Sequence, residues 1–293
     1  MYRLIKAEMF KLSKNKTFKV LCIVAIILSI ITIVMTLIMT EDHLIKSLGN
    51  IPEDQKMIQL EQIKLLASKS GFNPGKIGVQ VDGVKDMFNI TTVELFHISF
   101  EKGILEVLIG ILVAAFLAKE YSEGTIKNIL AYGKKRSHYY ISKWIAITLG
   151  TTIIMAITVG LATIINIIIN GWGEPFEIIQ LMGMLKTFGA AVIVNSAVVA
   201  IIMLIATLVK SNGATIGISV AIFVGIPLFT SFLYGKIDWF DNLYELTLLY
   251  NVAIVTAISA NSTDVIKAIM ISLVTLVAAL GCGIAVFNKQ DIK

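Results

Sequence analysis

The chain has 293 residues, 56% of them hydrophobic and 15% charged, with a mean hydropathy of +0.83, and no water-soluble core absorbs that much apolar surface. A formal charge of +5 falls between apolar runs, which points to a lipid bilayer as partner and not to nucleic acid. Cys22 and Cys282 lie inside apolar stretches with no metal-ligand spacing, so thiols buried against lipid or a neighbouring helix are expected and no metal site.

Residues 1–19 set Leu4, Ile5, Met9, Phe10 and Leu12 among Arg and Lys, the pattern of a cytoplasmic interfacial helix. The apolar run at 20–39 is too long for a signal-peptide core and ends without a small-x-small cleavage site, so it reads as a retained first span. A hydrocarbon core of about 30 Å needs about 20 apolar residues in a helix. Further runs of that length lie at 99–118, 145–169, 187–209, 214–234 and 266–287. Inside lipid each must be helical, because backbone N–H and C=O groups find no water there. The expectation is an all-α polytopic protein with six transmembrane helices.

Between spans one and two, residues 40–98 form a long extracytoplasmic segment, with a helix-like stretch opened by Pro52, Glu53 and Asp54 and closed near Gly71 and Pro74. Between spans five and six, residues 235–265 include an apolar run at 248–258 that is too short to cross and suits a re-entrant or interfacial segment. Residues 1–19 and 119–143 carry six basic groups each, and Lys210, Lys289 and Lys293 lie on the same side. Residues 41–102 carry seven basic against nine acidic groups. The basic excess puts both termini, the loop 119–144 and the tail 288–293 in the cytoplasm.

The loop from Lys119 to Lys143 reads KEYSEGTIKNILAYGKKRSHYYISK. Ile126, Ile129 and Leu130 place an apolar stripe on one helical face, which can lie on the membrane or dock in a partner's groove. Lys134, Lys135 and Arg136 anchor such a loop at anionic headgroups equally well. Glu120, Gly124-Thr125, Ile129-Leu130, Arg136 and Lys143, leading directly into a span, resemble the loop between the second and third spans of ABC-2-type exporter permeases, and Glu123 beside Gly124 joins them as a coupling candidate. The amphipathic start, the six spans, the long outer loop after the fifth and the charged tail agree in plan. Many members have Pro before the Ser-Arg element; here Gly133-Lys134-Lys135-Arg136 is closer to the bacitracin-resistance and lantibiotic-immunity type. The resemblance implies that this loop couples to a separate ATP-hydrolysing subunit, that ATP and Mg belong to that subunit, and that a second permease copy or a paralogue completes the path.

The chain offers no phosphate loop of its own. In SGFNPGKI, residues 70–77, Ser70 stands at the first Gly position and Ile77 at that of the metal-binding Ser or Thr. His43, His97 and His138 read as surface residues, with no HExxH and no GxSxG, so an enzyme is not expected. Within the spans, Gly213, Gly217, Ala221 and Gly225 recur every four residues and suit close helix packing, inside one subunit or at a dimer interface. Pro227 is a candidate hinge, and Glu106 and Asn195 are candidate pathway residues. The alternative to a transporter is a membrane sensor or assembly scaffold, whose outer segment binds a ligand and whose basic loop binds a cytoplasmic partner.

Overall fold

The computed structural model of the chain describes residues 1–69, 72–78, 81, 83–126 and 135–290, the side chains of 66–69 excepted. Among them the regular structure is α-helical, with an isolated antiparallel bridge between Gly78 and Lys102. In chain order the helices are α1 (Tyr2–Lys14), α2 (Lys16–Ile38), α3 (Glu41–Ser47), α4 (Glu53–Lys69) and α5 (Thr92–Ile98). Next comes α6, Ile104–Val113 continued through a π turn at Ala114–Ala118 into Lys119–Ser122. There follow α7 (Arg136–Asn170), α8 (Ile178–Val209), α9 (Asn212–Thr230), α10 (Asp238–Tyr244), α11 (Leu248–Val255) and α12 (Ser262–Lys289).

Helices α2, α7, α8, α9 and α12 are long and apolar enough to cross a membrane. Helix α6 carries the remaining apolar run, and its 19 residues span about 28 Å. The apolar sequence from 99 onward runs through a break, because Glu101 (φ +43°) and Gly103 (φ +83°) separate α5 from α6. Periodicity alone cannot register that break, since the flanking residues Phe100 and Leu105 are themselves buried.

Helix α8 is central: 61% of its most apolar stretch is buried inside the chain, against 17% for α12. It packs along α12, and α11 is wedged against both. Helix α6 lies between α8 and α9, with α7 beside it and α1 laid across α7. Helix α1, the end of α6, the start of α7 and the end of α12 gather at one end of the bundle, called basal here. There Arg136 Nη1 donates to the carbonyls of Phe287, Asn288 and Gln290 at 2.7–3.1 Å. A guanidinium at the negative end of α12 supplies the donors that its last turn lacks.

Among the described residues, three of the bundle helices contain a π turn: Ala114–Ala118 in α6, Ala156–Gly160 in α7 and Ala221–Gly225 in α9. A π turn loosens the i→i−4 ladder, so its carbonyls can take partners outside the helix. In α7 the Ser29 hydroxyl of α2 donates to the carbonyls of Thr158 (2.9 Å) and Ile157 (3.2 Å). In α9 the turn immediately precedes Pro227, whose ring and missing N–H a regular helix could not accommodate. The proline is absorbed as a wider turn.

Close approach of α6 to α9 rests on Gly110, where an added Cβ would lie 2.7 Å from Ser219 Cβ. Gly110→Val should therefore force the helices apart at a cost of about 1–3 kcal/mol and lower the thermal midpoint of the detergent-solubilised chain. An unchanged midpoint would show that this contact does not set the spacing.

Candidate functional site

Lys143 has no exposed surface. It lies on α7, about two turns from the helix start, facing the end of α6. Its Nζ is 2.6 Å from Glu120 Oε1 and 2.7 Å from Glu8 Oε2, and donates to the Phe116 carbonyl at 3.0 Å. Phe116 belongs to the π turn of α6, which leaves that carbonyl open to Lys143, and its ring centroid is 4.1 Å from the ammonium. Lys11 Nζ closes the cluster from α1, 2.9 Å from Glu8 Oε1 and 3.4 Å from Glu120 Oε1. The Tyr139 hydroxyl donates to Glu120 Oε2. Two carboxylates and two ammoniums thus join α1, α6 and α7 with no net charge.

The electrostatics follow from this geometry. Burial alone would push the Glu120 carboxyl up, but Lys143, Tyr139 and Lys11 outweigh burial and hold it below the usual carboxylate range. Burial works against the Lys11 ammonium too, and Glu120 and Glu8 overcome it and raise the pKa.

Of the residues expected from sequence, Glu120 and Lys143 meet directly. Glu123 makes an exposed pair with Lys119 at 3.6 Å, Gly124 turns the chain at φ +67°, and the Thr125 N–H donates to the Glu120 carbonyl at 3.1 Å. Arg136 caps α12 rather than joining the cluster. Ile126 is buried; Ile129 and Leu130 lie outside the described residues.

Glu8, Lys11 and Tyr139 were not singled out. The signal was present: Glu8 stands four residues from both Leu4 and Leu12, within the apolar stripe of α1, where a carboxylate is stable only beside a cation. Helix α1 is therefore docked on the bundle, with Leu12 buried beside Gly150.

The distal end gathers the other candidates. The Gly103 N–H donates to Glu106 Oε2 at 2.7 Å, and Glu106 is buried. Glu106 and Asn195 line one void of about 10 Å³, and Glu106 and Pro227 line a neighbouring one of about 20 Å³. Asn195 Oδ1 is buried without a hydrogen-bond partner among the described residues. Such voids are of the size of single waters. His97 turns inward, its Nδ1 3.0 Å from the Thr256 carbonyl, which corrects its reading as a surface residue. Gly213, Gly217, Ala221 and Gly225 are all exposed along α9, and a Cβ added to any of the three glycines meets nothing within 4 Å.

Removing Lys143 leaves two carboxylates without their shared cation, a loss of about 3–5 kcal/mol for a broken buried pair. Lys143→Met should release α1 and speed tryptic cleavage after Lys6, Lys11 or Lys14 at least about tenfold, and adding Glu8→Gln should restore part of the protection. Equal cleavage of wild type and variant would remove the cluster from the account of docking. A carboxyl lowered on docking stabilises the docked state above its ordinary value of 4.5 and loses that contribution as pH falls through the lowered one. An ammonium raised on docking contributes below 10.5 and loses it as pH rises through the raised value. Protection of α1 should accordingly be flat from about pH 5 to about pH 10 and fall on either side, read by hydrogen exchange; a steady slope through neutrality would contradict it.

No curated protein matches the chain. The model of the family described as ABC-2 family transporter protein matches residues 76–227, more than half of the sequence, including the distal break, all of α6 and the loop beyond it. The chain belongs to the ABC-2 family of transporter proteins and is a multi-pass membrane permease of an ABC transporter.

Proposed function

We propose that this chain is the membrane-spanning half of an exporter driven by a separate ATPase subunit, which binds ATP and Mg and docks at the basal end around Glu120 to Arg136. The observation that carries this reading is the cluster around Lys143. It welds the loop end of α6 to α1 and α7, so a push on the loop moves three helices together and not one side chain. Basic residues concentrate at this end, which agrees with a cytoplasmic basal face and an outward-facing segment at 40–98.

A second permease, identical or paralogous, completes the path in this proposal, and it packs on the exposed stripe Gly213, Gly217, Ala221 and Gly225. The outward aspect of those residues favours contact with another molecule over packing within the subunit. Glu106 and Asn195, beside the hinge at Pro227, mark the distal part of the path. The apolar, sparsely charged bundle suits a peptide antibiotic, a drug or a lipid-like amphiphile as cargo, in keeping with the resemblance to bacitracin-resistance and lantibiotic-immunity permeases.

Gly124 occupies the left-handed region, where a β-branched residue is strained by about 1–3 kcal/mol. Gly124→Val or Glu123→Ala should leave membrane insertion and ATP hydrolysis by the co-purified subunit intact while cargo export falls at least about tenfold, the signature of uncoupling. Normal export by both variants would reject the coupling role of the loop.

A further inference from the structure

We infer that the cleft between the distal ends of α8 and α12 is a binding site for a glycerophospholipid of the surrounding leaflet, with its phosphate at Lys186 and an acyl chain along the cleft floor. The cleft has a volume of about 490 Å³ and opens to the outside of the bundle. Its mouth holds Lys186, Thr187 and Ser262, and its floor holds Ala190, Val265 and Ile269. A polar mouth above an apolar floor matches an amphiphile and neither a free anion nor a wholly apolar guest.

Three observations favour a phosphate at the mouth. Lys186 makes no ion pair and no hydrogen bond among the described residues, whereas its neighbour Lys267 is paired with Glu245 at 3.0 Å. The hydroxyls of Thr187 and Ser262 are likewise without partners among the described residues. Among the described residues no acid lines the cleft; the nearby Asp264 carboxylate accepts from the Asn261 N–H at 3.2 Å, capping α12.

Depth agrees with the chemistry. Helix α8, with 32 residues, is about 48 Å long and overreaches a hydrocarbon core of about 30 Å. Lys186, eight residues into α8, stands where the helix passes from headgroups to hydrocarbon, the level at which a lysine extends its ammonium to phosphate. Ala190 lies one turn deeper, and Val265 and Ile269 lie one and two turns below Ser262. Exposed Met182, Leu185, Ile266 and Met270 flank the cleft, so a chain leaving it enters lipid. A second copy of this protein would be a poorer occupant, since no residue of the cleft supplies the counter-charge that a buried ammonium requires.

The site makes no use of ATP or cargo, so its test is separate from that of export. Full-length chain in mild detergent is titrated with dioleoylphosphatidylglycerol and, as the phosphate-free control, dioleoylglycerol, and bound lipid is counted by native mass spectrometry. One tightly held phospholipid per chain is expected, with dioleoylglycerol weaker. Lys186→Gln should weaken the phospholipid about fivefold, the effect of one lysine at an anionic headgroup, and leave dioleoylglycerol unchanged. Gly183→Trp, at a lining position where an added Cβ meets nothing within 4 Å, should weaken both. Equal retention of the two lipids, no effect of Lys186→Gln, or a Gly183→Trp variant that splits a dimer without altering lipid binding would each overturn the proposal, the last by making the cleft an interface between copies.

Discussion

A lysine ammonium with no exposed surface is tolerable in a membrane protein only if every side of it is met by opposite charge or a carbonyl. Lys143 is such a group, and the basal end of the bundle is arranged around it. It takes a carboxylate from α1, a carboxylate from α6, and a carbonyl exposed by the π turn of α6. These partners come from α1 and α6 and the lysine itself from α7, so satisfying one charge fixes the positions of three helices. Lys11 matches the second carboxylate with a second ammonium, so the cluster leaves no surplus charge inside.

The same economy of unsatisfied groups explains the irregular helices. Each π turn releases backbone carbonyls from the ladder, and in α6 and α7 those carbonyls are taken by Lys143 and Ser29 respectively. In α9 the cause is Pro227, which cannot join the ladder in any case. The two ends of the bundle differ accordingly. The basal end is closed by charge, while the distal end holds two small voids, a broken helix and an amide oxygen on Asn195 that has no partner among the described residues. In the proposed mechanism that difference places the rigid handle beside the motor and the deformable packing beside the exit.

Span length and the absence of water in lipid made the helical class legible from sequence, because those constraints act on every residue of a run. Glu120 and Lys143 were legible as parts of a motif. Their direct contact was not, since 23 residues of chain separate them and a linear pattern carries no distance. Glu8 and Lys11 escaped for a different reason: charges on a short basic helix ordinarily face solvent, and only the position of Glu8 between Leu4 and Leu12 signalled otherwise. The break at residues 99–103 was hidden by the hydrophobicity of its flanks, and the inward turn of His97 depends on a carbonyl 159 residues away.

Helix α9 ties these features together, because its two faces have opposite demands. One face meets α6 at the close approach of Ser219 to Gly110, and so receives whatever displacement the basal cluster gives to α6. The other face carries the smooth stripe from Gly213 to Gly225, where small residues leave room for a second helix to approach backbone to backbone. A helix with tight packing on both sides would transmit that displacement as a rigid rod. Here the π turn and Pro227 lie between the close approach at Ser219 and the distal end, and α6 packs against the π turn as well, so in the proposed mechanism α9 follows α6 up to Pro227 and bends beyond it. In the proposed exporter this would translate a push at the loop into a change of shape at the level of Glu106, where the path opens between the two permeases.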